Sequence, residues 1–431
     1  MTSAVPLKRL ATIRYGLGQP PPLSEDGVPI LRATNISRGK IDSANLIRSS
    51  LQDLPLDRAP LLAEGEILVV RSGAYTGDSA RVPAEWVGSV PGYDLRVTPD
   101  CVESRYLAYS LLGGMALGQM ALFSARAAQP HLNAEELGQV EIWEPSREEQ
   151  CRIADFLDAE TARIDRLVDL RRLQLLLLEE RIYSVVSETL VPGTLGPSKP
   201  SGPWLWLPKM TSDRPLVRLG YVCRLQNGLT IDSKRDLSGD VVTRPYLRVA
   251  NVQAGHVDLD SVVEVTVPRD IANRTTLRPG DVLMTEGGDL DKLGRGTVWR
   301  GELSECLHQN HVFALRPETD RLDGDYLALM TSTLHGRCYF ESTGSKTTNL
   351  ASTNSSKIMS FPIPLPSVAI QRALVAEVQA VMDSSQSAKR LLTGQLGLLA
   401  ERRQALITAA VTGQFDVSTA SGRNVTEGIT A

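Results

Sequence analysis

Cys306, His308 and His311 form the one cluster in this chain with metal-ligand chemistry. The C-x-H-x-x-H spacing is compact, but no fourth ligand is evident. On a strand, Cys306 and His308 would share one face while His311 points to the other. The pattern fits a polar strand end, or a contact with nucleic acid, better than a metal site, so none is expected. Asp232-Ser233-Lys234 has the acidic-x-Lys form of half a nuclease metal site, but supporting carboxylates are missing. Gly344-Ser345-Lys346-Thr347 is the nearest approach to a phosphate-cradling loop, and it lacks both required glycines. No Asn-Pro-Pro-aromatic or Asp-Pro-Pro-aromatic tetrapeptide is present for amino-methyl transfer, and no G-x-G-x-x-G follows a strand. Catalytic residues are not visible, and none is assigned.

What remains is positive charge set among amides, hydroxyls and aromatics in glycine-punctuated loops. In the first half these are Arg32-Ala33-Thr34-Asn35, Arg71-Ser72-Gly73-Ala74-Tyr75, and Ser124–His131 with Arg126, Gln129 and His131. In the second half they are Arg248–Asn251, Glu286–Arg295 with Lys292 and Arg295, and Lys346-Thr347-Thr348-Asn349. Arginine and lysine reach phosphates and guanine edges, while Asn and Gln pair with adenine edges. The candidate DNA-binding residues are therefore Arg32, Thr34, Asn35, Arg71, Ser72, Tyr75, Arg126, Gln129, His131, Arg248, Asn251, Lys292, Arg295, Lys346, Thr347, Thr348 and Asn349. Any one of them alone could equally be an ordinary solvated loop residue.

The elements that must position these loops occur twice. Pro6-Leu7-Lys8-Arg9-Leu10 returns as Pro215-Leu216-Val217-Arg218-Leu219, and Gly39-x-Ile41-Asp42 as Gly255-x-Val257-Asp258. Tyr106-Leu107-Ala108 recurs as Tyr326-Leu327-Ala328, and Pro145-Ser146 as Pro366-Ser367. The offset drifts only from 209 to 221, so one fold is duplicated, giving a pseudo-dimer within one chain. Short β-type runs such as Ile67–Val70, Val282–Met284 and Val312–Leu315 mark residues 1–145 and 212–366 as two α+β domains.

Each domain runs into a long helix, expected over 146–190 and 367–413. In the first, Ser146 and Glu149 can form a capping box; Ile370 replaces the glutamate in the second. Leu157, Ile164, Val168, Leu175, Leu178 and Ile182 fall on a series that steps by fours and threes through Thr161 and Arg171. Val378, Leu392, Leu396, Leu399 and Leu406 do the same in the second helix, so the two seams predict a coiled coil. Gly394 and Gly397 weaken that helix locally. A helix of about 45 residues is roughly 65 Å long. Residues 191–211 are a breaker-rich linker, which in a parallel arrangement would have to retrace that whole length. The helices are therefore expected to be antiparallel, with the domains at opposite ends and related by a pseudo-two-fold. The polar tail 414–431 is expected to be flexible.

A formal net charge of −4 argues mildly against a purely basic nucleic-acid binder, though a basic face can sit opposite acidic helices. Five cysteines without a C-x-x-C pair fit a reducing compartment. No apolar run approaches the ~18 residues of a membrane span, so a soluble cytoplasmic protein is expected.

Several segments resemble the specificity subunit of Type I restriction–modification systems. The match is sharpest over Leu399–Val417, similar to that family's distal-helix ending, and over Pro145–Asp158, similar to its central helix. Pro203–Pro208 resembles its lead-in to a target-recognition domain, and Lys346–Leu350 the polar loop before a domain's last strand; Gln129–Leu132 departs from that loop in the first copy. The resemblance implies a non-catalytic subunit that reads a bipartite double-stranded DNA site, one half per domain, with the helix pair as a ruler. It implies two methyltransferase subunits docked on the helices, each placing an adenine-N6 methyl transferase over a half-site, and a motor–nuclease subunit for restriction. S-adenosylmethionine, ATP and magnesium would belong to those partners. The rival readings are a coiled-coil scaffold without DNA readout, and a nuclease using Asp232 and Lys234.

Overall fold

The computed structural model describes residues 4–124, 130–196, 204–207, 209, 211–231, 237–288, 293–346 and 351–417. It divides into two compact units, Met1–Arg172 with Thr393–Ala431, and Leu173–Leu392.

The first unit is built on a four-stranded antiparallel sheet in the order Ala11–Tyr15, Leu95–Pro99, Ile67–Val69, Ser79–Arg81. Leu95 lies opposite both Tyr15 and Val69. Ile67-Leu68-Val69-Val70 is buried throughout because both sheet faces are covered. Ile67 and Val69 join Leu95, Val97, Tyr106 and Leu107 on one side; Leu68 and Val70 join Leu31, Leu62 and Val82 on the other. A strand buried on both faces reads as a continuous apolar run rather than an alternating one.

The second unit repeats this frame to the residue. Its sheet runs Cys223–Asn227, Val312–Pro317, Val282–Thr285, Gly296–Val298, with Phe313 opposite Asn227 and Met284. Short pairs close each unit: Ala4–Pro6 on Glu141–Trp143, and Leu216–Arg218 on Pro362–Pro364. The repeated tyrosines hold those pairs. Tyr106 and Tyr326, both fully buried, donate through their hydroxyls to the carbonyls of Trp143 at 2.6 Å and Pro364 at 2.8 Å.

The long helices are Arg147–Leu190 and Val368–Val411. Each unit takes half of each helix, so the compact division falls in mid-helix rather than at the domain ends read from the sequence. Within each unit the two segments run antiparallel. In the first, Phe156 meets Phe415 with ring centroids 5.6 Å apart, and Asp165 meets Arg403 at 3.6 Å. In the second, Glu179 bonds Lys389 at 3.0 Å, while Val186 and Val378 share a core. Leu157, Ile164, Val378 and Leu406 are buried; Val168, Leu175, Leu178, Ile182, Leu392, Leu396 and Leu399 are half-buried. Leu173, Leu176 and Leu177, off the seam, are exposed. Residues 414–417 correct the expectation of a flexible tail from 414 onward, because Phe415 and Val417 pack on the first unit's core.

The expected capping box is half present: the Glu149 amide donates to Ser146 Oγ at 3.3 Å. The stronger anchor is the glutamine that follows. Gln150 is buried, accepts from the Glu103 amide at 2.9 Å and donates to the Pro145 carbonyl at 2.9 Å. Gln371 does the same with the Asp323 amide and the Pro366 carbonyl, both at 2.8 Å. This explains why Ile370 is tolerated beside it.

Candidate nucleic-acid interface

Arg71 follows the end of the interior strand Ile67–Val69, just after the buried run. Its amide donates to Asp94 Oδ1 at 3.2 Å, and its carbonyl accepts from the Leu132 amide at 2.7 Å. With its backbone held on both sides, its guanidinium lies 4.8 Å from the ring centre of Tyr15 and 4.4 Å from that of Tyr93. Nη2 donates to His131 Nε2 at 2.9 Å. Burial pushes the Asp94 carboxyl up to about 6, opposed by the Arg71 amide and the Arg71 charge. Tyr15, Tyr93 and nearby Tyr75 stay largely exposed. A guanidinium stacked between exposed aromatic rings is pre-organised to bond guanine edges or phosphates.

The corresponding position in the second unit is Glu286. Its amide donates to the His311 carbonyl at 2.8 Å and its carbonyl accepts from the Thr353 amide at 2.7 Å. Its carboxylate Oε2 lies 2.5 Å from His311 Nδ1, and both side chains remain partly exposed. Asn310 sits beside the ring, with Nδ2 3.4 Å from His311 Nε2. Gly287–Gly288 pairs with Ala351–Ser352, which pairs with Ser345–Lys346, so the Lys346 backbone lies in the same small sheet.

Comparison with known proteins points the same way. Residues 23–174 match the profile of the Type I restriction modification DNA specificity domain. The chain is 25% identical over 402 residues to the Type I restriction enzyme EcoKI specificity subunit of Escherichia coli K12, covering 91% of this chain and 83% of that one. It is 21% identical over 408 residues to the StySPI specificity subunit of Salmonella potsdam, with the same coverages. A chain solved in a study of complex assembly and conformational transition of a type I R-M system superposes with a TM-score of 0.71. It covers 96% of this chain and 98% of that one, at 19% identity. The HsdS subunit of Thermoanaerobacter tengcongensis gives a TM-score of 0.52 at 19% identity, covering 96% and 97%. Over 91% of its length the chain is similar to Type I specificity subunits, and residues 23–174 match that family's DNA specificity domain.

Several residues expected to read bases serve the fold instead. Asn35 and Asn251 are each 1% exposed and cannot reach DNA. Asn35 accepts from the Arg32 amide and donates to the carbonyls of Asp42 and Ala44. Asn251 accepts from the Arg248 amide and donates to the Asp258 carbonyl. The guanidiniums of Arg32 and Arg248 brace the same loops through the carbonyls of Asn45 and Ser261. The repeated Asn…Gly-x-x-Asp pattern is thus a loop lock, turned at Gly39 and Gly255, both with positive φ. Thr34 is exposed on that loop. Arg295 lines a cavity of about 540 Å³ together with Tyr183, Arg337 and Lys389, which come from the helix segments and the residues packed on them.

The Ser72–His131 bridge matches the Gly287–Ser352 pair, which places Gln129–Leu132 opposite 350–353 rather than 346–350. Arg126, Gln129, Lys292, Thr347, Thr348 and Asn349, the side chain of Lys346, and Asp232 with Lys234 lie outside the described residues. Among the described residues no group of three metal-ligating side chains converges. Cys306 and His308 are buried in the strand region, and His311 turns to Glu286. Tyr15 and Tyr93 belong to no expected loop, whereas Glu286 opens one and His311 belongs to the Cys306–His311 cluster. The signal for the two tyrosines is strand register, which sets them against the differing residues Asn227 and His311.

Proposed function

We propose that this chain is the non-catalytic specificity subunit of a type I restriction–modification complex in the cytoplasm. It reads a bipartite duplex target, one half per target-recognition domain, and methyltransferase subunits dock on its helices. The observation that carries this reading is a strand frame repeated to the residue, with different polar chemistry at one equivalent loop end. Two copies of one reader joined in a chain make binding bivalent, so each half-site contact can be weak. Leu167, Leu170, Leu173, Leu176, Leu177 and Leu391 leave apolar surface on the helices, which suits a protein partner. S-adenosylmethionine, ATP and magnesium would be held by the methyltransferase and motor–nuclease partners.

The test is single-molecule sequencing of adenine methylation in cells expressing this chain with its methyltransferase. The expected result is one bipartite motif with a fixed gap. Assembled, folded proteins that methylate without any motif would favour a protein-binding scaffold.

A further inference from the structure

Positions that the two units share hold the fold, and these have been accounted for. Asn35 and Asn251 lock loops, and Gln150 and Gln371 anchor helices. Four register-equivalent positions at one end of the sheet differ in chemistry. Strand pairing equates Tyr15 with Asn227, because each faces the Leu95 or Phe313 position. It equates Arg71 with Glu286, two residues beyond Val69 and Met284, and Tyr93 with His311, two residues before Leu95 and Phe313. The bridges equate His131 with Ser352. Even the hydrogen bond from the 132 amide to the 71 carbonyl has its counterpart from 353 to 286.

Drift on a bare surface would leave unconnected side chains. Each unit instead holds a bonded cluster of its own: Arg71 between Tyr15 and Tyr93 and on His131, and Glu286 on His311. We infer that this column sets base preference, with Arg71 donating to a guanine in the first unit's half-site. In the second unit's half-site, Glu286, oriented by His311, accepts from an exocyclic base amine. The inference rests on the DNA-reading function proposed above. A carboxylate facing DNA is repelled by phosphates, so its place in the site is offset only when an amine meets it; cytosine N4 and adenine N6 both qualify. Glu286 therefore also discourages binding to sequences lacking that amine. An arginine fork fits the O6 and N7 acceptors of guanine, and stacking between two tyrosines fixes the plane of the fork.

The test uses the assembled complex of this chain with its methyltransferase and a pool of duplexes randomised across the wild-type motif, sequenced before and after binding. Glu286→Gln is expected to lower discrimination at one position of one half-site by about tenfold to a hundredfold. It should leave the other half-site unchanged and raise the binding of duplexes lacking the amine. The base lost from the preference separates cytosine from adenine. Arg71→Gln is expected to relax one guanine in the other half-site by a similar factor. Preferences intact in both variants, or a uniform loss across all duplexes, would overturn the inference while the wild-type motif keeps the function standing. No wild-type motif would remove the function itself. Should Glu286→Gln not assemble, Glu286→Asp tests the same position by shortening its reach.

Discussion

Asn35 is the residue at which a base-reading role and a structural role make opposite predictions. Its side chain is 1% exposed and makes three hydrogen bonds: from the Arg32 amide at 3.2 Å, and to the carbonyls of Asp42 at 3.1 Å and Ala44 at 2.9 Å. Asn35→Ala removes all three and leaves their partners poorly satisfied. At about 1 kcal/mol each, the loss is about 3 kcal/mol. A domain of this size loses roughly 2–4 °C of midpoint per kcal/mol, so the first unit should melt roughly 6–12 °C earlier. Asn251, with bonds to two partners, should cost the second unit about 2 kcal/mol when truncated. Calorimetry of the full chain gives the midpoints, and hydrogen exchange over residues 32–45 should report loosening of that loop. Base preference at permissive temperature should remain intact. Unchanged stability with one motif position lost would refute the structural assignment.

Other perturbations follow from the same coordinates. Arg96 grips Glu66 through Nε at 2.7 Å and Nη2 at 2.6 Å, both side chains almost fully buried, and Arg316, at the position matching Thr98, grips Asp281, the counterpart of Glu66. Arg96→Ala strands a buried carboxylate and should cost about 3–5 kcal/mol, measured by urea unfolding; replacing both partners with leucine should cost clearly less. Leu157→Ala, fully buried where the central helix meets the first unit's core, should cost about 2–5 kcal/mol by the same measurement. The units should respond to acid in opposite senses through named groups. His308 and His335 are pushed down to about 4 by burial, so between pH 6.5 and 4 the unfolded chain binds the extra protons. Their contribution to the second unit, about 3 kcal/mol each, is present above pH 6.5 and lost as pH falls toward 4. Asp94, raised to about 6, is protonated first in the folded state, so its contribution to the first unit is lost as pH rises through 6. Hydrogen exchange of each unit between pH 7 and 4.5 checks both signs, and Asp94→Asn should flatten the first unit's response.

The duplication, the strand runs and both helix seams were legible because each rests on periodicity, and periodicity survives without knowledge of partners. The loop residues were not, for a physical reason. A short polar residue beside an arginine reads alike whether its amide faces DNA or folds back on its own backbone, and only the loop's path decides. Arg32-Ala33-Thr34-Asn35 and Arg71-Ser72-Gly73-Ala74-Tyr75 look equivalent in sequence, yet Asn35 closes a loop and Arg71 is stacked between tyrosines far apart in sequence, one ending a strand and one just before its neighbour. The repeat itself held the discriminating information. A reader of two half-sites would keep its supports identical and vary its contacts, so Asn35 matching Asn251 marks a support, and Arg71 standing where the second unit has Glu286 marks the position proposed above to vary. Drawing that contrast needs strand register, because the offset changes along the chain and a one-residue slip puts every side chain on the wrong face. Placing Gln129–Leu132 against 346–350 was such a slip, several residues wide. Only the bridge from Ser72 to His131, matched by Gly287 to Ser352, fixes the alignment in which His131 and Ser352 occupy one position.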